Sequence, residues 1–132
     1  TDIFNALRIL KKYDLKAKMY FIAGLPHTDI EEEAQKVCVM LKELEKENLI
    51  YDSVLSVAPF TPKPLTPFEN ERFIDKKEYK RYKTVLKKGV STLKSRVKLD
   101  FFSYDESKLD YLTGVLKGDD FLKFILENSE NY

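Results

Sequence analysis

Ala17-Lys18-Met19-Tyr20-Phe21-Ile22-Ala23-Gly24-Leu25-Pro26 decides the fold. Seven mostly apolar residues run without strict alternation into a Gly-Leu-Pro break. Continuous apolar runs are what parallel strands covered on both faces look like, because neither side then needs polar residues. Upstream, Ile3, Leu7 and Leu10 recur at helical spacing with Phe4 beside them. This predicts a helix from Asp2 to about Tyr13, and Asp14 suits the turn that follows. Downstream, Thr28 or Asp29 stands at capping distance from Glu31 or Glu32. Glu31, Glu32 and Glu33 sit where the positive end of a helix dipole favours them. Ala34, Val37, Cys38, Leu41 and Leu44 make one apolar stripe, which predicts a helix ending near Asn48.

A second strand, Ser53 to Ala58, ends at Pro59. Helix, strand, helix and strand with short links imply a parallel α/β sheet, since parallel neighbours need crossovers. Pro59 to Pro67 holds four prolines and is expected to be irregular. A third helix is expected from Asp75 to Leu93, with Tyr79, Tyr82, Leu86, Val90 and Leu93 on one face, and a third strand from Val97 to Phe102. Two helices, Ser107 to Leu116 and Asp119 to about Asn128, close the chain, with Gly118 ending the first. The whole reads as one domain, residues 1–132. Residues 1–74 supply barrel-type βα units and the proline-rich loop, and 75–132 supply the later helices and strand.

Composition limits the chemistry. The 132 residues are 43% hydrophobic and 34% charged, the profile of a folded chain rather than a disordered one. One cysteine, Cys38, excludes an intrachain disulfide and an all-cysteine metal site. One histidine, His27, leaves a metal site dependent on carboxylates, and none cluster at ligand spacing. A reducing, cytoplasmic setting is expected. No apolar run approaches the roughly 20 residues of a membrane span, so no membrane partner is expected. The start at Thr1, inside what reads as a helix, is expected to be a cut from a longer chain. The net charge of +1 conceals an asymmetry. Lys76 to Lys98 holds ten Lys or Arg and one acid, Glu78, which makes +9 and leaves −8 for the rest.

Three stretches carry a resemblance. Tyr20-Phe21-Ile22-Ala23-Gly24-Leu25-Pro26, followed by a polar cap and an acid-rich helix, is similar to a strand end of radical S-adenosylmethionine (radical SAM) barrels. Ser56-Val57-Ala58-Pro59-Phe60-Thr61-Pro62-Lys63-Pro64-Leu65-Thr66-Pro67-Phe68 resembles the stretch after the next barrel strand, above all in members that also carry a cobalamin-binding-type domain. Ser107-x-Leu109 and Leu116-Lys117-Gly118-Asp119-Asp120-x-Leu122 resemble the C-terminal pattern of that subgroup. The matches keep their order and cover most of the chain, and the proline run is the most specific of them.

The resemblance implies a partial TIM-like barrel with parallel strands, flanking helices and a C-terminal helical extension. Its cofactors would be S-adenosylmethionine and a four-iron, four-sulfur cluster. In the family, a G-x-I-x-G-x-x-E strand packs its apolar residue on adenine. Here Ile22 and Gly24 match, while Tyr20 replaces the first Gly and His27 the Glu. The next strand end also touches adenine, which points to Val57 and Ala58. No catalytic residue and no metal ligand is assigned. The cluster needs three cysteines in one loop, so with Cys38 alone the isolated chain is expected to be inactive and iron-free. Its partners would be the missing N-terminal part of the barrel, or a second copy paired along the Met19–Ile22 strand edge.

Plainer readings stand beside these. Ile22 and Val57 suit an ordinary core, and Gly24-Leu25-Pro26 an ordinary strand-to-helix turn. His27 suits a solvated neighbour of a helix cap, Cys38 a buried inert thiol, and Lys63 a side chain pointing at water. A helix N-terminus beside Gly24 would favour a negative group such as the methionine carboxylate. Segment 76–98 reads first as a solvated helix face and second as a nucleic-acid-binding module. A stand-alone structural or interaction domain is the remaining alternative.

Overall fold

The computed structural model describes residues 2–116 and 118–128. The elements run α1 (Asp2–Lys12), β1 (Lys18–Ala23), α2 (Ile30–Lys46), β2 (Ser53–Pro59), α3 (Lys76–Ser91), β3 (Val97–Phe101), α4 (Tyr104–Val115) and α5 (Gly118–Asn128). The strands form one parallel sheet in the order β1-β2-β3. An α/β chain with a three-stranded parallel sheet and flanking helices is therefore what the sequence builds.

One face of the sheet is covered. Met19 and Ala23 of β1 and Leu55 and Val57 of β2 meet Leu7 of α1, Ala34, Leu41 and Leu44 of α2, and Tyr79, Tyr82 and Leu86 of α3 in a single core. Leu41, Leu44 and Leu86 have no exposed surface, and burying such a side chain contributes about 1.5–3 kcal/mol each. α2 and α3 approach closely where Gly89 faces Cys38. A Cβ on Gly89 would lie 2.2 Å from Cys38 Sγ, so only glycine admits this contact. Burial there pushes the Cys38 thiol pKa up.

The other face is exposed along β1 and β3, while on the central strand Val54 and Ala58 are half-buried and Ser56 is buried. Lys18, Tyr20 and Ile22 of β1 are exposed in alternation with the buried Met19 and Ala23. This corrects the expectation of a strand covered on both sides. The sheet order does make β1 an edge strand, as expected for the Met19–Ile22 stretch, but its apolar content did not reveal that one of its faces is exposed.

The helix boundaries follow their caps. Asp29 caps α2 by accepting from the backbone N–H groups of Glu31 and Glu32. Asp75 and Glu78 close a capping box on α3. α4 starts before the expected Ser107, because Ser103 is its cap and accepts from Glu106 N. It ends at Val115, with Leu116 extended. Gly118 opens α5 instead of ending α4. Lys117, within the C-terminal resemblance, lies outside the described residues.

Candidate binding site at the carboxyl ends of the strands

Register brings two of the four singled-out residues together. Ile22 of β1 stands opposite Ala58 of β2, and Ala23 opposite Pro59. Ile22 is 51% exposed on the open face, and Ala58 is half-buried beside it. Val57 points the other way, fully buried in the helix-side core. Only its carbonyl reaches the strand tips, where it accepts from Phe102 N at 2.9 Å and from the Tyr79 hydroxyl at 3.0 Å. The same hydroxyl also faces the Phe102 carbonyl at 2.9 Å, so one proton is shared between two acceptors. Burial pushes the Tyr79 pKa up to about 12.

Gly24 ends β1 with φ of 81°, a left-handed conformation that favours glycine. A Cβ here would lie 2.3 Å from Ile74 Cδ1. The close approach made to this glycine is thus by Ile74, in the loop returning to α3. Its N–H donates to Glu33 Oε2 at 3.1 Å, and the Thr28 hydroxyl donates to the same oxygen at 3.0 Å. The start of α2 is consequently occupied by the chain's own carboxylates. Asp29 takes two of the free N–H groups, and Glu31, Glu32 and Glu33 fill the first turn. Glu31 pairs with Arg81 at 3.4 Å and Glu32 with Lys36 at 2.7 Å, so an anion arriving at this terminus would compete with carboxylates already in place.

A cavity of about 350 Å³ opens beside that turn, lined in part by Gly24, His27, Glu71, Arg72, Ile74 and Glu78. His27 is solvated, with φ of 63°, and its Nε2 lies 3.2 Å from Glu71 Oε1. Arg72 donates to both oxygens of Glu78 at 2.7 and 2.8 Å, which holds the Glu78 carboxyl below its ordinary pKa. The Asp75-x-x-Glu78 spacing was the available signal for this cluster. Nothing in the sequence signalled the Arg72 contact.

The proline-rich loop is irregular, as its composition requires. Pro62 is fully buried, and Phe60 anchors the loop by donating its N–H to the Ala23 carbonyl at 2.8 Å. Lys63 pairs with Asp110 of α4 at 2.5 Å and so does not simply point at water. Phe73 stacks on Tyr111 and tilts against Tyr104, each at 5.3 Å between centroids. Tyr104 donates to the Ile74 carbonyl at 3.0 Å. These three aromatics dock α4 at the carboxyl end. Phe73 and Tyr104 fall outside the expected elements and only Tyr111 lies in one, so no local pattern linked them.

Along the open face, polarity is graded. In its amino half, the Ser56 hydroxyl donates to Asp100 Oδ2 at 3.1 Å, and Lys18 Nζ lies 3.9 Å from the same oxygen. In its carboxyl half, Ile22 and Ala58 offer carbon. This suits a flat, weakly polar group better than an anion. Cys38 lies between α2 and α3, with its Sγ 3.9 Å from the Val85 carbonyl. A single cysteine so placed does not fit an iron–sulfur cluster. Among the described residues, no three His, Cys, Asp or Glu side chains group as metal ligands, and no helix is long and apolar enough to cross a membrane.

No family model matches the chain, and no solved structure matches it. An uncharacterized protein of Methanocaldococcus jannaschii is 39% identical over 90 residues, a match covering 66% of this chain and 20% of that protein. A second uncharacterized protein of the same organism is 36% identical over 69 residues, covering 52% of this chain and 13% of the relative. The chain thus spans about a fifth of the length of the first relative and about an eighth of the second.

Proposed function

We propose that this chain is the C-terminal part of a radical SAM barrel, contributing to S-adenosylmethionine and substrate binding within a longer, cytoplasmic parent enzyme. The observation that carries the reading is the pairing of Ile22 with Ala58 on a bare sheet face, immediately before the Gly24 turn. Ligands of parallel α/β proteins bind at this end of the strands. Among the described residues, two free sheet edges and a largely exposed face support a partial barrel, whose missing N-terminal part would pair along β1. The far greater length of the relatives supports the same view.

In this reading the chain's own work is positioning. Ile22 and Ala58 form an apolar platform for one face of an adenine ring. Gly24 and Ile74 set the turn beside it, and Tyr79 fixes how far the tips of β2 and β3 stand apart. Val57 acts through its carbonyl and the core rather than as a contact. The cluster and the acid-binding groups would come from elsewhere in the parent. The test is anaerobic reconstitution of the parent and of this chain. The parent should bind a cluster and release 5′-deoxyadenosine from S-adenosylmethionine, while the chain alone should hold no stoichiometric iron. Ile22→Asp in the parent should weaken S-adenosylmethionine binding about tenfold or more by placing a charge against the ring. A parent that never cleaves S-adenosylmethionine, or an Ile22→Asp variant that binds it unchanged, would overturn the proposal.

A further inference from the structure

We infer that the outer side of α3 is a binding surface for the phosphate backbone of a nucleic acid strand. Lys76, Lys80, Lys83 and Lys87 recur at intervals of four, three and four and line one shallow cavity of about 330 Å³ with Tyr79, Thr84 and Tyr104. Helical rise places neighbouring lysines about 4.5–6 Å apart along the axis and makes the row about 16 Å long. That is a linear array of cations on the scale of successive phosphates.

The row is organised. Lys83 Nζ stands 4.7 Å from the Tyr79 ring centroid and 5.5 Å from that of Phe101, and Lys87 Nζ stands 5.7 Å from Phe101. The rings hold the Lys83 and Lys87 ammonium groups close to the helix surface. Three of its four lysines are also not neutralised. Lys76 pairs with Asp105. Among the described residues, no acid lies within ion-pair distance of Lys80, Lys83 or Lys87. The helix's own acid, Glu78, turns away to Arg72 and the Asp75 N–H. A chain of net charge +1 therefore carries a strongly positive local field. A membrane surface suits this helix poorly, because its apolar side, Tyr79, Tyr82 and Leu86, is buried and leaves nothing to insert. Even spacing favours a regular polyanion over an acidic peptide.

The experiment is fluorescence anisotropy of the 132-residue chain with a short labelled single-stranded RNA across a salt series. Four phosphate contacts give a log–log salt slope near about −2.8, a roughly fiftyfold loss of affinity between 50 and 200 mM salt. The combined variant Lys80→Gln, Lys83→Gln and Lys87→Gln should flatten the slope to about −0.7, with circular dichroism unchanged. If that variant folds poorly, Lys80→Gln alone, at an exposed position, should cut the slope by about 0.7. A control losing the same charge elsewhere, Lys11→Gln, Lys12→Gln and Lys46→Gln, should keep the full slope. The inference is overturned if the control weakens binding as much as the row variant, or if the row variant keeps the slope. It is equally overturned if polyglutamate or phosphatidylserine vesicles displace the protein as well as unlabelled RNA does.

Discussion

The two ends of the sheet are built differently. At the amino end the loops are tied together by charge and backbone. Asp52, with only 14% of its side chain exposed, is held by Lys16 at 2.5 Å and by Arg96, and its N–H donates to the Arg96 carbonyl at 2.9 Å. Arg8 joins α1 to the end of α2 through Glu47 at 2.7 Å, and Ser95 N donates to Glu45 Oε1 at 2.6 Å. At the carboxyl end the chain makes longer excursions. These are held by a glycine contact, the Tyr79 and Tyr104 hydroxyls, a few rings and the more exposed Lys63–Asp110 and Arg72–Glu78 ion pairs, while Leu65 stands 98% exposed. The end without a candidate site is the one that fixes the frame, and the end with one carries the variable loops. That division is the usual one for parallel α/β architecture.

The largest expected effect lies at the carboxyl end. Gly24→Ala forces a left-handed backbone on alanine and drives its Cβ into Ile74, so it should destabilise the chain by about 2–4 kcal/mol in urea unfolding. A loss below about 1 kcal/mol would mean the turn relaxes freely and the two ends differ less than argued. Next comes Tyr79→Phe, which leaves the Phe102 carbonyl without its hydroxyl donor and should cost about 1–2 kcal/mol. Tyr82, one turn along, sharpens that comparison because its buried hydroxyl has no hydrogen-bond partner among the described residues. Tyr82→Phe should therefore be neutral or stabilise by up to about 1 kcal/mol.

The smallest effect belongs to the amino end and shows in its pH dependence. The Lys16 and Arg96 hydrogen bonds hold the Asp52 carboxyl below its ordinary value of 3.8. Its stabilisation is thus fully present above that pH and fades as pH falls through the lower folded value. Asp52→Asn keeps a residue that tolerates φ of 58°. It should lower the melting temperature slightly at neutral pH, and the gap to the parent should close below pH 3.8. A gap that persists in acid would assign the effect to packing instead of charge.

How much was readable in advance follows the range of the forces involved. The three helices α1, α2 and α3 and all three strands lie in their expected segments, because periodicity, caps and Pro or Gly breaks act within a few residues. That the ends of β1 and β2 are neighbours followed from two strands joined by a crossover, while the register that sets Ile22 opposite Ala58 did not. The inward direction of Val57 did not, since Ser53-Val54-Leu55-Ser56-Val57-Ala58 is apolar enough for either face. Nor did the filling of the α2 terminus by Glu33, whose partners Gly24 and Thr28 belong to the preceding turn. The docking of α4 by Phe73, Tyr104 and Tyr111 joins residues up to 38 positions apart, beyond any local pattern.

The polar line from Lys18 through Asp100 to Ser56 has a consequence for whatever lies over the bare side of the sheet. Those groups keep a charge that hydrocarbon cannot cover without leaving it unsolvated. A covering layer must bring its own polar atoms or leave water standing there, while around Ile22 and Ala58 no such demand exists. The space above the sheet would then run from wet at its floor to dry at its mouth, and a flat uncharged guest would settle toward the rim.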